Sequence, residues 1–482
     1  MLEDILQERL KKLARLKESG IDPYPATADR TVHISDAHEK FGVLSASKKE
    51  ISLAGRLVSF RDQGNIVFLD LADESGKIQV VLKKDNLPEF KLWKDALDIG
   101  DFISVTGPLF KTQKGEESIE VLKLRLLTKS LRPIPTERYG VEGDDLRLRK
   151  RYLELLTDSK TKELFKKKAV FWNTMRGYLE GEGFFGVETP VLENIPGGAE
   201  AEPFKTHHNA LDTDFYLRIS LELPLKKLLV GGYEKVFEIG RIFRNEGIDR
   251  EHLQDYTQLE FYWSYADYND MMSLVEKMYK AVIKKTCGGF ETTHGGKKID
   301  WSRKWKKIDY VELFEKENGV NPVTATVQDL RKKAIALKLE PEKNAGKGRL
   351  IDFIFKHTGR PKLVEPCFLI DPPVEVEPLA KRSRTKSGCV ERFQVMAAGT
   401  ELGKGFSELN DPQDQRARFE EQMKLREAGD REAQRLDSDF LEALEYGMPP
   451  AAGFGLSERL FAVLMDKPVR EAVIFPLMRP KK

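Results

Sequence analysis

The sequence predicts an α+β protein in two parts: a small β-barrel of OB type near the N-terminus, then a larger antiparallel sheet flanked by helices. Three observations predict it. At residue 51 the hydrophobic pattern changes from helical spacing to strict alternation, which lasts to about 130. A stretch with prolines, glycines and no apolar period, SLRPIPTERYGVEGDD, follows at 130–145. Beyond it, long alternating strands are interrupted by helices of varied length.

Residues 1–19 read as an amphipathic helix, with Leu2, Ile5, Leu6, Leu10, Leu13 and Leu16 at three- and four-residue steps and Gly20 as its stop. Five β-rich runs come next: ISLAGRLVSF, NIVFLDLAD, KIQVVLKK, DFISVTGPLF and SIEVLKLRLL. Five strands in about 80 residues suit a Greek-key barrel; a two-sheet sandwich is the alternative that strand count leaves open. The expected organisation is thus a helix and five-stranded barrel over 1–130, a linker over 131–145 and an α+β domain over 146–482. In that domain, helices are expected at 159–181, 267–286, 327–338, 349–358, 413–428 and 457–466. Strands are expected at 214–220, 233–244, 256–265, 366–370, 390–399 and 401–408.

Composition bounds the function. The chain has 482 residues, 80 Lys+Arg and 78 Asp+Glu, for a formal charge of +2. With 33% charged and 40% apolar residues it is neither disordered nor collagen-like. No run approaches the ~20 apolar residues of a membrane span, and the N-terminus lacks the apolar block of a signal peptide. Cys287, Cys367 and Cys389 lie far apart and form no CxxC. That spacing points to a reducing, cytoplasmic location with neither a disulfide framework nor a zinc site. Near-zero net charge leaves nucleic-acid binding open, since such binding depends on local patches.

Three blocks carry the chemistry. The run Tyr233–Gly247 and the strand YTQLEFYWSY (256–265) make a hairpin with a polar loop. Alternation puts Glu238, Gly240, Ile242 and Arg244 on one face of the first strand, and Glu260 and Tyr262 opposite Leu259, Phe261 and Trp263 in the second. Arg, Glu and Tyr on one face suit a ligand; the bland alternative is a solvated face with cross-strand ion pairs. In the second block, ELGKGFSELN, Lys404, Phe406 and Glu408 share a face. Strict alternation puts Glu401 on the other face unless a bulge at Gly403 or Gly405 re-aims it. The third block, PPAAGFGLSERLFAVL, enters a helix with Arg459 in its first turn. A cation there opposes the helix dipole and asks for an anionic partner, either a phosphate or Glu458 or Asp466.

Taken together with PGGAEAEPFKTHHNALDTDFYLRI, YADYNDMM, GRLIDFIF, PVEVEPLAKR and GFSELNDPQDQ, these blocks resemble class II aminoacyl-tRNA synthetases, and within them the lysyl-tRNA synthetases, over about 50–480. The resemblance implies a class II catalytic domain with an antiparallel sheet flanked by helices, an anticodon-reading OB domain, and a homodimer through the helix from about 165 and GFFGVETP. It implies two-step chemistry on ATP, L-lysine and tRNA, with magnesium as the metal and no membrane partner. Arg244 matches the arginine that bridges the carboxylate and the α-phosphate, and Arg459 the one at the γ-phosphate and adenine. Tyr256 takes the opposite adenine face, where the family usually has Phe. Glu246 and His252 fall in the loop that touches adenine and phosphates.

Glu408 and Tyr262 match the holders of the ε-ammonium, supported by Glu260. Glu222 and the Gly198 carbonyl match contacts to the α-amine, and Lys404 and Phe406 complete that pocket. A buried ammonium needs such acceptors to keep its proton. The metal pair matches Glu401 and, in place of the family's other Glu, Gln394. Lys404 stands where bacterial relatives have Asn, GFGLSER is one residue short of the three-glycine pattern, and EHLQDY lacks the usual Asn-Pro. In the OB domain, Phe68 matches a base-stacking position, with Gln79 beside it, Arg56 on a phosphate or base edge, and Glu116 as an acceptor. The basic N-terminal helix has two readings, a tRNA-backbone contact or a solvated face. Two alternatives remain beside lysine–tRNA ligation: a paralogue that activates lysine without charging tRNA, and a non-catalytic RNA-binding protein on a synthetase scaffold.

Overall fold

The computed structural model describes residues 2–135, 143–247, 253–342, 345–377, 379–427 and 433–480. The chain forms two compact units, Met1–Glu142 and Gly143–Lys482.

In the first unit the helix Leu2–Glu18 buries Leu16 and Arg9. Arg9 donates to the backbone oxygens of Ile99, Ser130 and Arg132, and Lys12 bonds Asp98 at 2.7 Å. Two of the helix's cations therefore hold the unit together. Seven strands form the sheet: β1 Ile51–Asp62, β2 Ile66–Ala72, β3 Lys77–Lys83, β4 Phe102–Gly107, β5 Leu109–Lys111, β6 Glu117–Glu120 and β7 Lys123–Thr128. Their order is β5-β6-β3-β2-β1-β4-β7. The expected count of five is thus corrected to seven, because two of the runs each break into two strands. Pro108, which has no N–H to give a ladder, separates β4 from β5. Residues 121 and 122 separate β6 from β7, which pair with β3 and β4 on different sides of the sheet. The sheet is of OB type but open, with β5 and β7 as its edges. Its core is the alternating inner set Leu53, Leu57, Val67, Leu69, Leu71, Val80, Ile103 and Val105.

The second unit is built on an eight-stranded sheet. Its strands are β8 Phe185–Gly186, β12 Lys235–Phe243, β13 Asp255–Ser264, β16 Lys306–Asp309, β17 Cys367–Ile370, β18 Arg392–Ala397, β19 Thr400–Ser407 and β20 Ala451–Ser457. The order is β16-β17-β18-β19-β20-β13-β12-β8. The centre is antiparallel, and the edge pairs β16–β17 and β12–β8 are parallel. Two small sheets lie outside it: β9 Leu192–Glu193 with β10 Lys205–His208 and β11 Thr213–Leu217, and the hairpin β14 Glu291–His294 with β15 Lys297–Asp300. A helix, Asp144–Arg149, starts within the range read as linker; residues 136–142 of that range lie outside the described residues.

One face of the large sheet is covered by two long helices. Tyr268–Cys287 starts at a capping box of Asp267 and Asp270 and ends at Gly288 in the left-handed region. With Ser159–Gly181 it buries Phe171, Met175, Met271, Met278 and Val282 against Phe261, Phe393 and Phe454. Full burial of each such side chain contributes about 1.5–3 kcal/mol. The opposite face is left to line a cavity.

Candidate active site

That cavity has a volume of about 830 Å³. Strand alternation supplies its floor: Tyr256, Gln258, Glu260 and Tyr262 of β13 point into it, while Leu259 and Phe261 point into the core. The first strand of the hairpin does not behave as its alternation suggests. Glu238 is buried against Arg218 at 2.7 Å and accepts from the Thr189 N–H and hydroxyl, and Ile242 packs in the core. Gly240 lies against the Arg218 guanidinium. Of that face only Arg244, beyond the end of β12, reaches the cavity. Its Nε and Nη2 both donate to the Ile219 carbonyl at 3.3 Å, and its guanidinium lies 5.7 Å from the Tyr256 ring centre. Burial raises the Tyr256 phenol, so the ring is neutral.

Glu401 lines the cavity on the same side as Lys404 and Phe406. The reason is a bulge: Gly403 pairs with Val395 and Glu401 with Met396, so Leu402 is extra and the alternation shifts by one. On the side a Cβ would take, Gly403 and Gly405 admit the buried rings of Phe454 and Phe393, while Gly403 also lines the cavity. Gln394 donates from Nε2 to Glu401 Oε2 at 2.5 Å. Lys404 Nζ is 2.8 Å from Glu377, which also meets Arg392 Nε at 3.3 Å. Burial pushes the Glu377 carboxyl up, but Lys404 and Arg392 outweigh it and hold it below its ordinary range.

Glu260 is saturated. Its Oε1 accepts from Ser220 Oγ at 2.8 Å, the Leu221 N–H at 3.0 Å and Gln258 Nε2 at 2.5 Å. Its Oε2 accepts from the Tyr262 hydroxyl at 2.8 Å. Glu260 therefore lines the pocket with its oxygens already bonded to its own supports. Glu222 opens the helix Glu222–Val230 and lines the cavity beside Gly198. Gly198 has φ +81°, and a Cβ there would press on Glu222 and Ser220. Glu408 lies just beneath the lining, touching the buried ammonium of Lys226. Gly453 makes room for it, since a Cβ there would strike Glu408 Oε1 and the Tyr262 ring.

At the other end, Arg459 is the first residue of the helix Arg459–Leu464 and lines both this cavity and an adjoining one of about 420 Å³ with Lys356, Arg360 and Lys467. Glu458 is bonded elsewhere, to Lys168 at 2.5 Å and the Thr257 N–H at 2.7 Å. Asp466 accepts from the Gly295 N–H at 2.9 Å. Glu246 lines the cavity. His252 lies outside the described residues.

In the first unit, Phe68 lies on the outer face of β2, between the core residues Val67 and Leu69. It is half-buried and is not part of the barrel core. Gln79 sits on the neighbouring strand opposite Asp70, and its Oε1 accepts from Ser118 at 3.0 Å. Arg56 is held within the unit, by the Gly100 carbonyl at 3.1 Å and the Phe102 ring at 4.2 Å. Glu116 is exposed in the turn before β6.

The sequence reading missed Lys226, Glu377, Arg392, Ser220 and Gln258. Lys226 had a signal, the four-residue spacing from Glu222 on one helix face. Glu377 and Arg392 had none, because their meeting with Lys404 is made by tertiary structure alone.

The cavity gathers carboxylates, among them Glu222, Glu246 and Glu401, and cations, among them Arg244, Lys404 and Arg459, in one lining. Residues 143–479 match the model of tRNA synthetases class II (D, K and N), and residues 51–127 that of the OB-fold nucleic acid binding domain. The chain is 46% identical to a lysine–tRNA ligase of Moorella thermoacetica, covering 99% of this chain and 98% of that protein. It is 42% identical to those of Thermotoga maritima, covering 100% and 97%, and Roseiflexus castenholzii, covering 100% of both.

Proposed function

The chain belongs to the class II tRNA synthetases of the D, K and N group, and from that premise we propose that it is a lysine–tRNA ligase. In the first step the carboxylate of L-lysine attacks the α-phosphorus of ATP. A carboxyl oxygen–phosphorus bond forms, the bond to the β-phosphate bridge breaks, and pyrophosphate leaves. In the second step the terminal ribose hydroxyl of tRNA attacks the lysyl carbonyl and AMP departs.

The observation that carries this reading is the acid-lined end of the cavity, where Glu222, Glu260 and Glu408 gather around Tyr262 with 5%, 3% and 1% of their surfaces exposed. Buried carboxylates in that number suit two ammonium groups and repel an acidic amino acid. Gly198, Phe406 and Lys404 complete this end. Arg244 lines the same cavity, where its planar fork can hold the carboxylate and the α-phosphate together. Its role is alignment and charge neutralisation in the transition state. Arg459 takes the γ-phosphate end, with Tyr256 and Arg459 on either face of the adenine and Glu246 at its edge.

The donor set at the β18–β19 hairpin, one carboxylate and one amide oxygen, fits a hard cation held jointly with a triphosphate. Glu401 and Gln394 would hold magnesium there, which supplies neutralisation of phosphate charge when bound. The outer face of β2 around Phe68 is read as the anticodon surface, with Gln79, Arg56 and Glu116 nearby. Homodimerisation is part of the same proposal, supported by the exposed, stacked pair Phe185 and Tyr233 at the β8 edge of the sheet. So is a place in the reducing cytoplasm, supported by three unpaired cysteines. Among the described residues no helix is long and apolar enough to cross a membrane.

The test is exchange of labelled pyrophosphate into ATP with each amino acid in turn, followed by charging of tRNA. Lysine alone should support exchange, and the lysine tRNA alone should be charged. Exchange with aspartate or asparagine instead would overturn the reading.

A further inference from the structure

Lys226 is completely buried, yet it does not line the cavity. Its ammonium is 2.5 Å from Glu222 Oε1, touches Glu408 Oε2, and lies 5.4 Å from the Phe406 ring centre and 5.9 Å from that of Phe440. The other charges facing this cluster are accounted for. Glu260, on β13, has four neutral donors, and Tyr262 is one of them. Glu377 lies between two cations, Lys404 and Arg392, and offsets one of them. Arg418, from the helix behind, is matched by Asp414 at 2.8 Å. Glu222, Glu260, Glu408 and Glu377 against Lys226, Lys404 and Arg392 leave the cluster net negative by one charge.

We propose that Lys226 is a built-in counter-ion that sets the charge of the amino-acid pocket. It favours the ionised forms of Glu222 and Glu408 before substrate arrives and keeps the pocket net negative toward the ammonium groups of a basic amino acid. The proposal rests on reading the cavity as a lysine pocket. Lys226 is a positioning residue, since it meets carboxylates and never the substrate. Two buried carboxylates so close together, without a cation between them, would share a proton. Burial already pushes both carboxyls up, with Lys226 opposing it. A shared proton must be expelled when an ammonium binds, and that makes affinity depend on pH.

The test compares the full-length protein with Lys226→Met and Lys226→Arg, measuring lysine KM and kcat in pyrophosphate exchange from about pH 6 to about pH 9. Lys226→Met should raise the lysine KM roughly tenfold at about pH 7, with the effect on KM rather than kcat. The ratio of its KM to that of the unmodified protein should fall toward one as pH rises. Lys226→Arg should keep the unmodified pH profile. An unchanged KM, or a ratio constant across pH, overturns the proposal. If Lys226→Met does not fold, calorimetry on the unmodified protein decides. Lysine binding at about pH 7, in buffers of different ionisation enthalpy, should release well under about half a proton. Release of a full proton overturns the proposal. Absence of lysine binding by the unmodified protein would instead overturn the lysine reading itself, and the two failures are thus distinct.

Discussion

Gln394 and Glu401 are joined across the β18–β19 hairpin by a hydrogen bond of 2.5 Å from amide to carboxylate. The bulge at Leu402 puts them on one face, seven residues apart, where strict alternation would have separated them. A carboxylate brings a full charge to a hard dication, whereas an amide brings a dipole.

Restoring that charge should lower the magnesium requirement. In Gln394→Glu the concentration of magnesium that half-saturates pyrophosphate exchange should fall several-fold, and an unchanged titration would remove the metal-deficit argument. Lys404 is drawn to Glu377 at 2.8 Å, a carboxylate it shares with Arg392, rather than to Glu401. Lys404→Asn should therefore leave the magnesium midpoint where it is; a raised midpoint would mean that Lys404 does neutralise phosphate.

Arg244→Ala should stop adenylate formation while sparing the fold. Its two bonds to the Ile219 carbonyl are long, at 3.3 Å, and contribute little to stability. Loss of a charged contact made in the transition state should cost on the order of 3–5 kcal/mol, a hundredfold or more in rate. Near-normal exchange would contradict the assignment, and so would a collapse of the melting temperature alongside the loss.

Phe68→Ala should weaken charging of tRNA and leave lysine activation alone. A base stacked on one aromatic ring contributes roughly 1–3 kcal/mol. Because Phe68 points away from the Val67 and Leu69 core, the substitution opens no buried cavity. If exchange and charging fall together, the ring is structural.

Phe185→Glu should separate the dimer. The Phe185 and Tyr233 rings are stacked at 5.6 Å and 4° on an exposed edge, and a charge buried at such a seam is strongly unfavourable. Light scattering at micromolar concentration should give a dimer mass before substitution and a monomer mass after it. A monomer before substitution would end the proposal.

Burial holds the Glu193 carboxyl up at about 8, against 4.5 for a free side chain. The folded state then keeps a proton that the unfolded chain has lost. Stability from this group is complete below pH 4.5 and is lost as pH rises through about 8. Glu193→Gln is neutral throughout. Its melting temperature should draw away from that of the unmodified protein between those two values and then run parallel to it. A gap of constant size would show that the carboxyl is ionised in the folded protein.

The sequence exposed the site where local pattern decides geometry. Alternation alone turned Glu260 and Tyr262 to one face of β13 and Phe261 to the other, and the four-residue helical step put Leu16 inside. It misled where a distant partner decides. Glu238 looked like a ligand residue but is claimed by Arg218, from a different segment. At 403 and 405 the glycines admit the rings of Phe454 and Phe393, partners that no local pattern names. The fate of Pro108 was visible in principle, because a missing N–H must end a ladder, but the two strands it separates read as one apolar run.

The hydrogen bond from the Tyr262 hydroxyl to Glu260 has a direction, and the direction has a consequence. A phenol has one hydrogen, and here it is committed to a carboxylate that cannot give one back. Toward the cavity the Tyr262 oxygen offers lone pairs alone. Whatever arrives there must bring its own hydrogen: an ammonium fits, while a carboxylate, or an amide presenting its oxygen, meets two acceptors face to face. In the lysine reading, the sense of one proton then adds to charge in telling an ammonium from a carboxylate. Tyr262→Phe should therefore relax selectivity far more than it enlarges the space.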